Sequence, residues 1–430
     1  MRILWICNVK IAKIDRINQS SNKVYVGGWL EGMSDLLLKD KDVSLIYCYP
    51  NYESDLLIEG HESNFYSYGI PMKYSEATKT LNTDSSAVHD FKKILEKTKP
   101  DIVHFWGTEF LYALEFYKVL KNYQQGRYED KAIISIQGLV SVYAKHFVAG
   151  IPDRIMKSST LSEFKGHCSL RLMKESYIFR GTKEEELLKY AKNVIGRTSW
   201  DEACTAIINS KRTYYKCNES LRSVFYSGKW EYKKCRPHQI FISQASYPIK
   251  GLHKVLEAVN LIKDRYPDLL IKVAGQNIFK GSKIKGNTYG NYIQSLIKKY
   301  DLSHNIEFCG MLDADNMKKI LLESNVFVSP SSIENSPNSL GEAMLLGMPC
   351  IASDVGGCAD MMEHKKEGLI YPFDESYKLA FYLCKVFDDD LLANSLGQEA
   401  RKKAHITHNK EKNNEVLCEI YKKIINQSRM

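Results

Sequence analysis

The segment SPSSIENSPNSLGEAMLLGMPCIASDVGG, residues 329–357, decides the expected fold. It opens at the end of one apolar run and closes on a second. Between the two runs, Ser336 occupies a position suited to an N-cap, and Pro337 a position suited to the first helical residue. Gly347 follows the apolar helix residues, where helices commonly end. The segment therefore predicts a strand, a helix of about ten residues and a second strand.

The same alternation of apolar runs and amphipathic segments extends along the chain. The strand candidates are 2–9, 43–50, 102–106, 132–138, 193–197, 239–245, 269–275, 305–310, 325–330 and 349–353. Most are apolar throughout, as in parallel strands that helices cover on both faces. Their alternation with helices predicts an α/β fold with doubly wound parallel sheets. A polar stretch, SGKWEYKKCRPH (227–238), divides the series, so we expect two such domains, 1–230 and 237–405, facing each other with a cleft between them.

Composition and charge limit the classes of protein and partner. The 430 residues are 44% hydrophobic and 26% charged, which excludes a disordered or collagen-like chain. Sixty Lys and Arg against 51 Asp and Glu give a net charge of +9, which favours nucleotides, acidic lipid headgroups or nucleic acid as partners. Eleven cysteines without a CxxC pair indicate free thiols in a reducing cytoplasm. A signal-peptide pattern and a run of about 18 apolar residues are both missing from the sequence, so we expect a cytoplasmic chain.

The predicted helix after Pro337 offers an anion site. Its amino end presents the backbone N–H groups of Asn338, Ser339 and Leu340. These groups and the positive end of the helix dipole suit a phosphate. Glu334 precedes this end and Glu342 lies about a turn inside it. Their carboxylates can accept hydrogen bonds from sugar and ribose hydroxyls. The alternative is that Glu334 and Glu342 are a solvated loop residue and a solvated helix residue.

The spacing from Glu334 to Glu342, followed by EAMLLGMPCIASDVGG (342–357) and EGLIYPF (367–373), resembles the donor-site signature of family 4 glycosyltransferases. The resemblance implies the GT-B fold, with a nucleotide-sugar held mainly by the carboxyl-terminal domain. It implies that Glu342 binds the ribose, that Glu334 contacts the transferred sugar, and that the backbone of residues 338–340, beside Ser336, meets the diphosphate or sugar. It also implies that the last helix crosses back, so that residues 411–430 pack on the first domain.

A second element of the expected donor site is the segment ISQASYPIKGLHKVLEA (242–258). Lys250 lies in its strand-to-helix loop, where an ammonium beside a helix amino terminus can neutralise a diphosphate. The segment resembles the family's KG loop, but Gln244 stands near the position of the usual Arg. We include Gln244 in the site, with Gly275 at the end of a predicted strand. The alternative for Lys250 is a surface lysine at a helix start.

The first domain contributes weaker candidates. Gly27 and Gly28 precede a helix and permit a close approach to phosphate, although a simple turn explains them equally well. Their spacing does not fit GxGxxG, which argues against a dinucleotide dehydrogenase. Gln137 occupies the place where family members often have a His that contacts the donor sugar, so we assign it to the catalytic set with Glu334 and Lys250.

Two further side chains follow strand ends of the first domain. His104 is either a packed residue or part of the site, and Arg197 is a candidate phosphate or acceptor contact. The stretch from Lys145 to Lys192 interleaves basic and apolar residues. It suits either an anionic membrane surface or lipid-diphosphate acceptor, or a solvated helical pair on the core.

The function that the resemblance implies is a retaining glycosyltransferase of cell-surface polysaccharide biosynthesis. The donor is a UDP- or GDP-sugar, the acceptor a glycan or a lipid-linked hydroxyl, and we expect no cofactor and no metal. The enzyme is expected in the cytoplasm, at the inner face of the cell membrane. Two alternatives are a nucleotide-sugar epimerase or hydrolase, and a catalytically degenerate GT-B subunit that partners an active transferase. Gln244 and Gln137, where family members carry Arg and His, support the degenerate subunit. Nucleic-acid binding is disfavoured because the basic and aromatic residues follow no recognisable module.

Overall fold

The structure is a computed structural model that describes residues 1–18, 27–72, 86–166, 169–279 and 287–428. The strands are β1 (Arg2–Cys7), β2 (Ser44–Asn51), β3 (Ile58–Glu62), β4 (Phe65–Pro71), β5 (Ile102–Trp106), β6 (Ala132–Ser135), β7 (Asn193–Gly196), β8 (Thr213–Lys216), β9 (Arg236–Ile242), β10 (Leu270–Ala274), β11 (Ile306–Gly310), β12 (Ser324–Ser329), β13 (Cys350–Ser353) and β14 (Leu369–Tyr371).

The α-helices lie between these strands and after them. They are α1 (Ala12–Ile17), α2 (Gly28–Leu37), α3 (Ser86–Thr98), α4 (Leu111–Asn122), α5 (Val140–His146), α6 (Asp153–Met156), α7 (Leu161–Gly166), α8 (Leu170–Tyr190), α9 (Ser199–Ile208), α10 (Leu252–Asn260), α11 (Thr288–Lys299), α12 (Ala314–Glu323), α13 (Asn338–Leu346), α14 (Cys358–Met361), α15 (Ser376–Asp388), α16 (Asp390–Thr407) and α17 (Lys410–Gln427). In the part of the chain that is described, no helix combines the length and the apolar character needed to cross a bilayer.

The chain divides into two compact units. Unit 1 comprises Met1–Val142, Ser176–Leu221 and His408–Met430, and unit 2 comprises Tyr143–Glu175 and Arg222–Thr407. The boundary between them differs from the one expected at residue 230. The chain enters unit 2 first for the segment Tyr143–Glu175, and the last helix, α17, lies in unit 1.

Unit 1 is built on a sheet of eight strands among the described residues, in the order β3-β4-β2-β1-β5-β6-β7-β8. Neighbouring strands run parallel, except that the edge strand β3 is antiparallel to β4. The central strands are buried on both faces. Helices α3 and α4 cover one face, and α1, α2 and α17 cover the other. The indole N–H of Trp5 donates to the Tyr421 hydroxyl at 3.0 Å, which fixes α17 on the sheet.

Unit 2 contains a parallel sheet of six strands in the described chain, ordered β11-β10-β9-β12-β13-β14. The chain moves from β9 to one side for β10 and β11, and then returns to β12 on the other side. The direction of winding therefore reverses between β9 and β12. In open α/β sheets, ligands bind outside the carboxyl ends of the strands at such a switch point. The loops that follow Ile242 and Ser329 should therefore carry the site.

Candidate active site

The loops after β9 and β12 bring two predicted residues together. Lys250 ends the first loop, and its Nζ lies 2.5 Å from Oε1 of Glu334 in the second. The hydroxyl of Ser331 donates to the same carboxylate oxygen at 2.8 Å. Glu334 is buried, while Lys250 keeps part of its side chain exposed. The structure thus places an ammonium and a carboxylate as an ion pair at the switch point of unit 2.

Two glycines allow these loops to pack closely. Gly251 has φ +70°, and a Cβ there would lie 1.8 Å from the carbonyl oxygen of Pro330. Gly356 has φ +53°, and a Cβ there would lie 1.8 Å from the carbonyl oxygen of Glu334. The N–H of Gly357 donates to that same oxygen at 3.1 Å. The DVGG end of the signature therefore holds the backbone of Glu334, a role that sequence reasoning did not assign.

Helix α13 begins one residue later than its sequence predicts. Pro337 has an extended backbone, with φ −68° and ψ 116°, and is itself the N-cap, so the prediction that Ser336 caps the helix is wrong. The Ser336 hydroxyl instead lies 3.5 Å from the Met361 sulfur. The N–H of Leu340 donates to the carbonyl of Pro337 at 3.0 Å. The N–H groups of Asn338 and Ser339 remain those that helix geometry leaves open to a ligand.

Glu342 lies inside α13 and is 3% exposed. Arg222 donates from Nε to Oε1 and from Nη2 to Oε2, both at 2.7 Å. Burial raises the pKa of the Glu342 carboxyl above its usual value, and the hydrogen bonds and charge of Arg222 act in the opposite direction. Sequence reasoning missed Arg222 because it precedes Glu342 by 120 residues and belongs to no recognisable motif.

Gln244 and Gly275 follow the neighbouring strands β9 and β10. Gly275 has φ +112°, and a Cβ on it would lie 3.5 Å from Cγ of Gln244 and 3.7 Å from the Ser246 hydroxyl. The Ser246 hydroxyl is buried and has no hydrogen-bond partner among the described residues. Gly275 therefore permits the loop that carries both Gln244 and Lys250 to lie against the end of β10.

The segment Tyr143–Glu175 of unit 2 also touches the Glu334 loop. The N–H of Asn335 donates to the hydroxyl of Tyr143 at 3.1 Å. The hydroxyl of Ser332 donates to the carbonyl of His146 at 3.1 Å. These two contacts tie the segment that follows Val142 to the Glu334 loop, and neither was predicted.

In unit 1, Gln137 and Arg197 meet around a residue that the sequence did not single out. The side-chain amide of Gln137 donates to Oε1 of Glu219 at 2.5 Å, and Nη1 of Arg197 donates to Oε2 at 2.8 Å. Nη2 of Arg197 also donates to the Gln137 carbonyl at 3.2 Å. Burial raises the pKa of the Glu219 carboxyl, and Arg197 acts against that rise. Gln137 is thus tied into a buried ionic cluster.

His104 is a packed residue. It is fully buried on β5, with Nδ1 at 2.5 Å from the Tyr421 hydroxyl and Nε2 at 2.7 Å from the Ser135 hydroxyl. Burial holds its pKa well below the usual value, so the ring is neutral at physiological pH. Of the two interpretations of His104, the structure favours the one in which it links the sheet to α17.

The backbone conformation and the packing at position 27 both require a glycine. It is the N-cap of α2 with φ +85°, and a Cβ there would lie 2.6 Å from the Val9 side chain. Gly28 is the first residue of the helix. Close packing of this turn on the loop after β1 therefore accounts for Gly27 without a ligand.

The polar groups of unit 2 define what the candidate site can bind. The Lys250 ammonium, the Arg222 guanidinium and the open N–H groups of α13 can meet an anion. The carboxylates of Glu334 and Glu342 can accept hydrogen bonds from hydroxyls. Within the described ranges, no three or more His, Cys, Asp or Glu side chains group so as to hold a metal ion. The arrangement suits a ligand that carries phosphate and several hydroxyls.

Comparison with known proteins agrees with this chemistry. Residues 229–403 match the family model described as Glycosyl transferases group 1. Over this segment the chain is similar to the glycosyl transferases group 1. YtcC of Bacillus subtilis, which is named as a glycosyltransferase, is 24% identical over 289 residues, covering 65% of this chain and 64% of the relative. The amylovoran biosynthesis glycosyltransferase AmsK of Erwinia amylovora is 24% identical over 143 residues, covering 32% of this chain and 33% of the relative.

The matched regions span less than two thirds of the length of these two glycosyltransferases. The likeness in structure is more extensive. HepE of Anabaena, solved in complex with UDP-glucose, superimposes with a TM-score of 0.67 at 13% identity, over 98% of this chain and all of HepE. Two doubly wound α/β units with this likeness identify the fold as GT-B. Lys250, Glu334 and Glu342 lie within the group 1 glycosyltransferase segment, whereas unit 1 lies outside it.

Proposed function

We propose that the protein transfers a sugar from a nucleoside diphosphate sugar to a hydroxyl of a growing glycan or lipid-linked acceptor. The observation that carries the proposal is the Lys250–Glu334 pair at the switch point of unit 2, beside the amino end of α13 and inside the group 1 segment. The donor is a UDP- or GDP-sugar, which the complex of HepE with UDP-glucose supports. The product is a cell-surface polysaccharide, which the name of AmsK supports.

The diphosphate binds at the amino end of α13. The N–H groups of Asn338 and Ser339 and the helix dipole stabilise its charge. Lys250 moves from the carboxylate of Glu334 toward the phosphates and stabilises the charge that develops as the sugar–phosphate bond breaks. Because these groups supply positive charge at the leaving group, the proposal includes no metal ion and no cofactor.

The two carboxylates orient the rest of the donor. Glu334 accepts hydrogen bonds from hydroxyls of the transferred sugar, and Glu342 accepts them from the ribose. Ser336, Leu340, Gln244 and Gly275 line the donor site around them. Gly27, Gly28 and Gln137 stay predictions of the sequence as donor contacts, with the Gln137 side chain limited by its bond to Glu219.

The reaction retains the anomeric configuration. The acceptor oxygen forms a bond to the anomeric carbon on the face from which the diphosphate leaves. The bond between that carbon and the phosphate oxygen breaks, and the acceptor hydroxyl proton passes to the leaving phosphate. Glu334 therefore acts on the sugar by orientation and charge, and no side chain is assigned as a nucleophile.

A turnover assay with a donor panel tests this function. Purified protein is incubated with UDP- and GDP-sugars, with and without a bacterial lipid-linked glycan extract, and released nucleoside diphosphate is measured. We expect release that depends on one donor and on the extract, and that Lys250→Ala abolishes. Release that needs no acceptor would indicate a hydrolase or epimerase. No release from any nucleotide-sugar, with or without the extract, would favour the degenerate subunit.

A membrane contact is proposed for the segment that contains α6 and α7. Phe164 is 75% exposed and Leu161 is also exposed. Lys157 is solvent-exposed in the same stretch, and Lys165 adjoins Phe164. Exposed apolar side chains beside basic ones suit an anionic surface, so we place the protein at the inner face of the cytoplasmic membrane.

Vesicle flotation tests the membrane contact. Wild-type protein should float with vesicles that contain phosphatidylglycerol and not with phosphatidylcholine alone. The double variant Leu161→Ser and Phe164→Ser should lose that binding, while Leu391→Ser, which removes an exposed leucine of α16, should keep it. Equal flotation of all three proteins would contradict the assignment.

A further inference from the structure

Arg222 and Glu342 form a bidentate pair in unit 2. Both hydrogen bonds measure 2.7 Å and join Nε and Nη2 to the two carboxylate oxygens. The guanidinium also lies over the Phe225 ring, 4.8 Å from its centroid. Phe225 is fully buried, and its N–H donates to the carbonyl of Arg222 at 3.2 Å. The position of the guanidinium is therefore set by its own backbone turn and by an aromatic face.

The pair lies beside the open end of α13. Side chains on an α-helix tilt toward its amino terminus, so the carboxylate of Glu342 lies alongside the first turn. Glu342 is 3% exposed and the side chain of Arg222 is 22% exposed. Glu342 is thus almost fully buried, while its partner Arg222 keeps part of its side chain exposed.

The pairing leaves the carboxylate able to accept further hydrogen bonds. An ionised carboxylate has about four lone-pair positions, and a bidentate arginine uses two of them. A buried carboxyl without a cation takes up a proton more readily, and the protonated form loses acceptor capacity. Arg222 therefore keeps Glu342 in the form and orientation that a pair of neighbouring hydroxyls can meet.

We propose that Arg222 is a positioning residue of the donor site, which, through the fixed carboxylate of Glu342, makes binding depend on the ribose hydroxyls of the nucleotide. This inference rests on the proposed function, since it requires that a nucleoside diphosphate occupies the site. Arg222 acts on the ribose through Glu342.

Calorimetry with matched nucleotides tests the inference. Whichever of UDP and GDP binds is compared with its 2′,3′-dideoxy analogue. The proteins are wild type, Arg222→Met, Arg222→Lys, Glu342→Gln and the double variant Arg222→Met with Glu342→Gln. The control is Arg265→Met, which removes an exposed arginine paired with Asp388 at 2.6 Å in the same unit.

Wild type should bind the ribonucleotide about tenfold more tightly than the dideoxy form, as hydrogen bonds to a charged group predict. Arg222→Met and Glu342→Gln should each bring that ratio near one, and the double variant should add nothing, since both changes remove one coupled unit. Arg222→Lys should give an intermediate ratio, and it replaces Arg222→Met if the latter fails to fold by circular dichroism. Arg265→Met should keep the wild-type ratio.

Three results would overturn the inference. In the first, Arg222→Met or Arg222→Lys keeps the wild-type ratio of ribonucleotide to dideoxynucleotide affinity. The paired hydrogen bonds of Arg222 would then not set the preference for the ribose hydroxyls. Tight binding of both nucleotides by wild type, with a ratio near one, would overturn the inference and leave the proposed function standing. Binding of neither UDP nor GDP by wild type would overturn both.

Discussion

The carboxyl ends of the two sheets hold polar clusters of different kinds. In unit 2, Lys250 and Glu334 come from two adjacent loops and pair where the chain reverses its winding, with the Lys250 side chain 18% exposed. In unit 1, Arg197 and Glu219 pair with both side chains 5% exposed, and Gln137 donates to the same carboxylate. The first arrangement can exchange a protein partner for a ligand. In the second, the loss of one partner would leave a buried charge without compensation, so its members are expected to stay paired.

The largest expected effect follows from removing the charges of the unit 2 pair. Lys250→Ala and Glu334→Ala should each lower sugar transfer by about a hundredfold or more, as for the loss of one transition-state contact in other enzymes. The control is Lys319→Ala, which removes a lysine whose side chain is 71% exposed on α12. Nucleoside diphosphate release checks the prediction, with circular dichroism to confirm folding. Unaltered turnover in both variants would show that this pair is not the site.

A glycine comparison tests the close packing of the unit 2 loops. Gly310 has φ +71° and open space around it, so Gly310→Ala should cost only the left-handed backbone, about 1 kcal/mol. Gly356→Ala adds a Cβ 1.8 Å from the Glu334 carbonyl and should cost about 1–3 kcal/mol more. Urea unfolding measures both variants. Equal costs would mean that the Glu334 loop moves aside freely.

Acid should weaken the unit 1 cluster. His408 Nδ1 lies 2.9 Å from the carbonyl of Glu219. Burial lowers the pKa of the ring from 6.5 to about 4, and the charge of Arg197 contributes a smaller decrease. The His408 ring therefore takes up a proton less readily in the folded state than in the unfolded state. The free energy of unfolding has its full value above pH 6.5 and decreases as the pH drops toward 4. The loss approaches roughly 3 kcal/mol for this group.

Melting temperature measured against pH checks this expectation. His408→Gln should flatten the decline between pH 6.5 and 4, and His304→Gln, a change at an exposed histidine, should leave it unaltered. If the melting temperature of His408→Gln fell with pH as much as that of wild type, His408 would not be the cause of the acid sensitivity.

A modest expected effect distinguishes the two roles of Gln137. Gln137→Ala removes a hydrogen bond to the buried Glu219 carboxylate and should lower the free energy of unfolding by about 1.5 kcal/mol. Binding of the nucleoside diphosphate should be unaltered, because the proposed diphosphate contacts, Lys250 and the amino end of α13, lie in unit 2. Turnover distinguishes the two roles. A decrease in turnover larger than the loss of folded protein would indicate the sugar contact that the resemblance implies. An unaltered turnover would show that Gln137 acts only through its hydrogen bond to Glu219.

The sequence predicts the elements of unit 2 well because apolar runs there are bounded by Gly and Pro. The meeting of Lys250 and Glu334 follows from the rule that ligands bind at the carboxyl ends of parallel strands. Strand β3 was missed because IEGHE carries no apolar run and lies exposed at the sheet edge. Arg222 and Glu219 were missed for another reason. Arg222 pairs with Glu342 across 120 residues, and Glu219 accepts from Gln137 across 82 and from Arg197 across 22, in contacts that only the folded chain forms.

The central claim is that Lys250 and the amino end of α13 hold the donor diphosphate. Calorimetric titration of UDP and GDP into wild type, Lys250→Ala and Lys319→Ala tests it most directly. The account predicts saturable binding of one nucleotide by wild type and by Lys319→Ala, and at least about tenfold weaker binding by Lys250→Ala. Equal affinity in all three proteins, or no binding of either nucleotide by wild type, would contradict it.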